Sequence, residues 1–396
     1  MSNVTWHVPG RIEVLGKHTD YAGGQVLVCA IDRAVTVSAT PGSQGLTAKT
    51  TASDEPVSLV AGQDSGLKAG HWGRYVQTVV DRLTANFGPL IPCHLEVSTT
   101  LPFASGMSSS SALLCGVALA LADLNGIPDT ESWQRNIPDR LALAGYLARV
   151  ENGLSWGDLA GVRGVGTAGG SEDHTAMICA VPGTLSQFAF DPVRHLADVP
   201  LPASLSFVVA VSGLSAEKTA GALHAYNGAS LATREILSRW NAQVTDPAPS
   251  LAAAVAADAD GRLGRLVADD PSLVSRLRHF VTESTVLVPG AVHALSVGDL
   301  GGFGALVGES QRRAESDLGN QVPETVVLAA SARTLGAHAA SAFGAGFGGS
   351  VWALVDTQQA DDFAGRWLAS YRSRFSDRTT ADVMVTRPAA AAERLH

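Results

Sequence analysis

The sequence predicts an α+β chain of two domains, residues 1–195 and 196–396. Three observations carry this. At 396 residues the chain is longer than one hydrophobic core usually serves. Strand-like and helix-like stretches interleave, several strands at hairpin distance, unlike a regularly alternating parallel array. Asp191 to Pro202, punctuated by Pro and Asp, makes the best boundary. Hydrophobic residues at 46% and charged residues at 16% fit a compact fold rather than a disordered chain.

His7 to Tyr21 begins as a short strand, then packs Arg11, Glu13, Lys17, His18 and Asp20 between glycines. A surface loop could look like this. Ile12, Val14 and Leu15, however, pin the segment to a core while its polar groups converge. Asp20 to Gly24 is a turn signal, and Val26 to about Ala39 is β-branched and strand-like. Residues 40–70 suggest hairpins and a surface loop. Trp72, Tyr75, Val76, Val79, Val80 and Leu83 fall at helical spacing, which predicts a helix over His71 to Asn86.

A strand candidate, Ile91 to Ser98, leads to Pro102-Phe103-Ala104-Ser105-Gly106-Met107-Ser108-Ser109-Ser110-Ser111-Ala112, and an apolar helix follows to Leu124. Free amides and the positive end of a helix dipole suit a phosphate, and small side chains let it approach. An elaborate N-cap would also use these serines. The run is neither Gly-x-Gly-x-x-Gly nor a Walker loop. Arg140 to Glu151 reads as a helix with Glu151 near its C-terminal end. The dipole disfavours a carboxylate there unless a cation such as a divalent ion is its partner. Gly169 to Cys179 brings Asp173 and His174 into an apolar segment, where they must be paired or functional.

Beyond the boundary, Leu205 to Val211 reads as a strand and Ser215 to Trp240 as a long helix. Residues 245–290 are helical and alanine-rich, and helices follow over Asp299 to Ser316 and Pro323 to Leu335. Gly344-Ala345-Gly346-Phe347-Gly348-Gly349-Ser350 lies between two strand candidates. So many glycines imply close backbone approach or unusual dihedrals, or a plain hairpin. Ala360 to Tyr371 is a helix, Ala381 to Thr386 a last strand, and the tail is expected to be loosely held.

Composition limits the partners. The formal net charge is -9, with 24 Arg, 4 Lys and no basic stripe, which argues against nucleic acid. An anionic ligand then needs local charge, and Arg11, Lys17 and Lys218 are candidates. No run of 18 apolar residues and no signal core appear, so the expectation is a cytoplasmic protein without a membrane span. Cys29, Cys93, Cys115 and Cys179 lack metal or redox spacing and read as buried free thiols.

Together the glycine-rich stations could line a cleft between domains. Asp173 is the best base and Arg11 its best electrostatic partner. A serine hydroxyl plus Glu151 would give oxygen ligands to Mg²⁺. That set describes phosphoryl transfer. A hydrolase built on Ser110, His18 and Asp173 lacks the Gly-x-Ser-x-Gly elbow. A non-catalytic sugar or nucleotide sensor is the other class.

Pro9-Gly10-Arg11-Ile12-Glu13-Val14-Leu15-Gly16-Lys17-His18-Thr19-Asp20-Tyr21, Pro102 to Ala112 and Gly344 to Ser350 resemble, in order, three motifs of the galactokinase branch of the GHMP kinases. The resemblance covers essentially the whole chain. It implies a ribosomal protein S5 domain 2-like N-terminal domain with a left-handed β-α-β unit, a ferredoxin-like C-terminal domain and a cleft between them. It implies ATP, Mg²⁺ and phosphorylation of a sugar's anomeric hydroxyl, in a monomer or weak homodimer. By position, Asp173 is the base and Arg11 its neighbour at C1. His18, Asp20, Gly170 and Tyr226 fall at sugar-binding positions. Gly106, Met107, Ser108, Ser109, Ser110, Ser111 and Gly346 fall at nucleotide positions. Ser110 and Glu151 match the Mg²⁺ ligands, with Ser109 or Ser111 as alternatives in the tetraserine.

Three departures stand out. Lys17 occupies a place where the family usually has a glutamate that reads the C6 hydroxyl. Lysine only donates, so it could read a C6 carboxylate, as in galacturonate, or pair with Glu13, itself in place of the usual asparagine. Roughly ten extra residues precede Asp173. His174 replaces the glutamine after the base.

Overall fold

The computed structural model describes residues 3–51, 53–68, 70–102, 106–214 and 220–395. Glu217, Lys218 and Phe103 to Ser105 lie outside them. The strands are β1 (Val4–Leu15), β2 (Gln25–Pro41), β3 (Leu46–Thr50), β4 (Ser53–Leu59), β5 (Cys93–Thr99), β6 (Thr184–Ala189), β7 (Arg194–Pro200), β8 (Leu205–Val211), β9 (Ala339–Ala342), β10 (Ser350–Asp356), β11 (Asp382–Thr386) and β12 (Glu393–Leu395).

They form two sheets, so the chain is a two-domain α+β fold. The first runs β12-β1-β2-β5-β3-β4, with β6 on the far end of β2 and β7 on β6. Most pairs are antiparallel; β3 and β5 are parallel. The second runs β11-β8-β10-β9, entirely antiparallel. The helix Ser109–Leu124 lies on β1 and β2. Gly116 makes that approach possible, since a Cβ there would sit 2.7 Å from Val37 Cγ2. The helices Pro323–Thr334 and Ala360–Arg374 cover one face of the second sheet. Its other face, with Phe207 and Trp352, belongs to the same apolar cluster as Val8, Val37 and Met107, so one core runs through both domains.

Two expectations need correction. β7 pairs with β6 along Thr184–Ala189, so the change of sheet comes after Pro200 and not at residue 195. The tail is anchored: β12 pairs with β1, Ala392 N donates to Met177 O at 2.8 Å, and Arg140 Nη2 donates to Ala392 O at 2.7 Å. Those partners lie far away in sequence, so no local pattern marks the segment as a strand.

The alanine-rich region gives several helices, Pro271–Thr282 among them, packed with Trp240 and Phe280 into a cluster of their own. Pro271–Thr282 continues into a π-helical turn, Glu283–Leu287. The helix Leu300–Arg313 does the same at Ala314–Leu318. Such turns commonly mark functional positions, and the first sends Glu283 fully into the interior.

Deleting residues 392–396 removes the β12 pairing and both Ala392 hydrogen bonds. At about 1 kcal/mol each, the urea stability should fall by roughly 2–4 kcal/mol; an unchanged midpoint would show that the tail contributes nothing.

Candidate active site

Arg11 leaves β1 next to a bulge and is almost fully buried, with 3% exposed. Its Nε and Nη2 donate to Asp173 Oδ1 at 2.7 and 2.6 Å, and its Nη1 donates to Gly106 O at 2.6 Å. Phe343 stacks against the guanidinium, 6.0 Å from its ring centre. Burial works against this charge, but Asp173, Glu172 and Glu13 outweigh it and raise the guanidinium pKa. Asp173 sits in the first turn of the helix Glu172–Cys179. Its second oxygen accepts from Ser108 Oγ at 2.5 Å. One carboxylate therefore joins the sugar-type motif, the serine loop and the helix.

The serine loop turns sharply at Ser108, whose φ is +55°, before the helix begins at Ser109. The amides of the first turn have no intrahelical acceptor. The loop rests on the third glycine-rich station: a Cβ on Gly344 would sit 2.9 Å from Gly106 O. Gly344, Gly346, Phe347, Gly348 and Gly349 all have φ between +59° and +130°, which explains the glycines directly.

Asp20 Oδ2 accepts the Glu172 N–H at 3.1 Å. Burial pushes the Asp20 pKa up to about 6 against that N–H. Gly170 packs on Asp20 and Gly169 on the Tyr226 hydroxyl; at both positions a side chain would collide. Asn152 Nδ2 holds Gly169 O at 2.8 Å, and Asn227 Oδ1 takes the Ala168 N–H at 3.1 Å. The inserted glycine-rich stretch is thus fastened by two asparagines.

His18 is buried, and burial first, then Arg276, lowers its pKa to about 4. It is neutral at ordinary pH. Its Nε2 lies 3.1 Å from Ala345 O, which can only accept, so Nε2 carries the proton. Nδ1 then accepts from Tyr21 Oη at 3.0 Å, and Arg276 Nη2 donates to that hydroxyl at 3.1 Å. Both ring nitrogens have protein partners, so in this structure His18 ties the first motif to the third.

Lys17 is fully buried. Its Nζ donates to Ser310 Oγ at 2.9 Å, and Ser310 donates to Glu283 Oε1 at 2.8 Å. The same Glu283 oxygen accepts Gly16 N at 2.8 Å and Lys17 N at 3.3 Å. Glu13 lies near enough for Lys17 and Arg11 to lower its pKa, yet burial prevails and lifts it to about 7. Glu172, 5% exposed, is also raised well above the usual carboxylate range, by burial first and then by Glu13 and Asp20.

Ser111, not Ser110, donates to Glu151 Oε2, at 2.8 Å. Ser111 is buried, while Ser109 and Ser110 are half-buried on the rim. Arg276 and Asn152 carry no signal in the sequence, and for Glu283 the available signal is a lone carboxylate in the otherwise uncharged run Phe280 to Val288.

A model of the galactokinase galactose-binding signature matches residues 2–41. Models of the GHMP kinases N terminal domain and the GHMP kinases C terminal match residues 74–162 and 291–373. The chain belongs to the GHMP kinase family, in its galactokinase-like branch. A galactokinase of Roseiflexus sp. (strain RS-1) is 28% identical over 390 residues, 97% of this chain and 91% of the relative. One of Mycobacterium tuberculosis (strain ATCC 25618 / H37Rv) is 28% identical over 368 residues, 91% of each. Among solved structures, Lactococcus lactis galactokinase complexed with galactose superposes with a TM-score of 0.79 at 24% identity, over 100% of this chain and 95% of that one. L. major mevalonate kinase shares the fold at a TM-score of 0.59 and 17% identity, over 97% of this chain and 96% of that one. Enzymes of the GHMP kinase family generally use ATP and Mg²⁺.

Glu13 gives a testable pH dependence. Its ordinary pKa of 4.5 applies to the unfolded chain, and the native value is about 7. Between the two the native state holds the extra proton, so its contribution to stability falls as pH rises through that window. Glu13→Gln should flatten the decline in urea midpoint between pH 5 and pH 7.5. A decline as steep as that of the unaltered protein would refute the assignment.

Proposed function

We propose that this GHMP kinase transfers the γ-phosphoryl group of ATP to the anomeric hydroxyl of galactose. The observation that carries it is the Arg11–Asp173–Ser108 constellation, in which the first motif and the serine loop meet on one carboxylate of the Glu172–Cys179 helix.

Asp173 has the most open side chain of the buried ion pair, 30% exposed against 4% for Arg11. Its oxygens are oriented by the guanidinium and the Ser108 hydroxyl. It accepts or polarises the proton of the sugar's C1 hydroxyl. Arg11 lies between that carboxylate and the serine loop, where it balances charge developing on the transferred group. Amides at the start of the Ser109–Leu124 helix hold phosphate oxygens. Asp20, Gly170 and Tyr226 border the sugar. His18 fixes the wall by bridging to Ala345. Ser111 and Glu151 would hold the divalent ion; both supply hard oxygen, which suits it. Bound there, that ion neutralises phosphate charge.

Lys17 does not favour an acidic sugar. Its ammonium ends on Ser310, beside Glu283 and Glu13. Around the site Asp20 and Asp173 outnumber Arg11, so a further carboxylate would meet repulsion. A neutral sugar fits this field.

The test is ADP release by the purified protein with ATP and Mg²⁺ across galactose, galacturonate, glucuronate, glucose, L-arabinose, fucose and N-acetylgalactosamine. Galactose should win. Asp173→Asn should cut that turnover at least about 100-fold with nucleotide affinity kept. Preference for galacturonate would overturn the substrate, and no sugar-dependent ADP at all would overturn the activity.

A further inference from the structure

We propose that Arg276 is a positioning residue for the sugar: without touching it, this one buried guanidinium fastens together the two elements that carry Asp20 and Tyr226. The inference rests on the kinase reading above, in which those two side chains border the sugar.

Arg276 lies in the helix Pro271–Thr282 and is 4% exposed. A guanidinium only donates, so the direction of each of its contacts is fixed. Its Nη2 donates to His18 O at 2.5 Å and to the Tyr21 hydroxyl at 3.1 Å. Those two residues flank Thr19 and Asp20, so the turn that presents Asp20 is held by both shoulders. Nε donates to Ala229 O at 3.3 Å. Ala229 belongs to the helix Ala220–Asn241, three residues after Tyr226 and hence on the same side of it. Nη1 donates to His279 Nδ1 at 3.0 Å, which aligns the fork on its own helix. The Tyr21 ring covers the guanidinium, 5.9 Å from its central carbon.

His18 needs such a hold. Its φ is +57°, in the left-handed region that a side chain disfavours, and a backbone of this kind persists where its neighbours over-determine it. The ring of the same residue lies 5.3 Å from the Tyr226 ring. The Tyr21 hydroxyl, which accepts from Arg276, gives its own proton to His18 Nδ1 at 3.0 Å, and His18 Nε2 donates to Ala345 O. Every donor in this chain points one way, from Arg276 through Tyr21 and His18 to the third glycine-rich station. A lysine could not replace it, because one ammonium cannot span acceptors fixed on three elements.

The experiment measures kcat and KM on the full chain, with the sugar that the unaltered protein phosphorylates best in the ADP-release test, and KM for ATP alongside. Arg276→Met should raise the sugar KM at least about 10-fold, the size of a lost hydrogen bond to a charged group, while kcat and the ATP KM move less than about 3-fold. Arg276→Lys should not restore the sugar KM. Tyr21→Phe, which cuts one arm only, should raise it at least about 3-fold, and adding that change to Arg276→Met should cost less than about 3-fold more. An unchanged sugar KM in Arg276→Met overturns the inference, as does full recovery in Arg276→Lys. An equal loss in kcat or in the ATP KM also overturns it, because Arg276 would then serve the fold as a whole. If Arg276→Met fails to fold, Tyr21→Phe decides, and an unchanged sugar KM there overturns the inference. Failure of the kinase reading looks different: the unaltered protein then releases no sugar-dependent ADP, and the inference falls with that reading.

Discussion

The buried ion pair of Arg11 and Asp173 is the constraint on which the rest of this site depends. A guanidinium this deep must use its donors, and they reach two different parts of the chain: the helix at Asp173 through two of them, the serine loop at Gly106 through a third. Phe343, at the threshold of the last glycine-rich loop, closes the remaining face. Removing one partner of a buried pair leaves the other charge uncompensated, which typically costs several kcal/mol. The positions of the loop, the helix and the second domain are therefore mutually dependent.

Behind Arg11 the charges continue inward: Glu172 and Glu13, then Lys17, Ser310 and Glu283. Glu283 belongs to the π-helical turn of the second half of the chain, so this array ties the first motif to the other domain. The two sugar-motif departures make sense together. Lys17 supplies a positive charge among carboxylates, and Glu13 holds a proton to about pH 7 where that charge is insufficient. The first motif and the domain junction therefore share these residues.

Much of this was legible in the sequence because its signals are local. The serine run before an apolar helix, the glycines of 344–349 and the polar cluster of 11–20 each carry their own physical reason. Asp173 stood out as an ionisable group entering an apolar segment. What stayed hidden depends on distant pairing. Nothing near Glu393–Leu395 indicates that β1 awaits it. Nothing near Lys17 indicates that Ser310, 293 residues away, receives its ammonium. That Ser111 and not Ser110 hydrogen-bonds to Glu151 is a matter of helix phase, which a run of four identical residues cannot reveal.

The most direct test of the central claim is a double-mutant cycle on kcat for sugar-dependent ADP release, using Arg11→Met, Asp173→Asn and the two together. If the pair acts as one unit, each single change should remove at least about 100-fold, and adding the second should cost less than about 3-fold more. Losses that multiply in the double variant would contradict the account, since Arg11 and Asp173 would then serve the reaction independently.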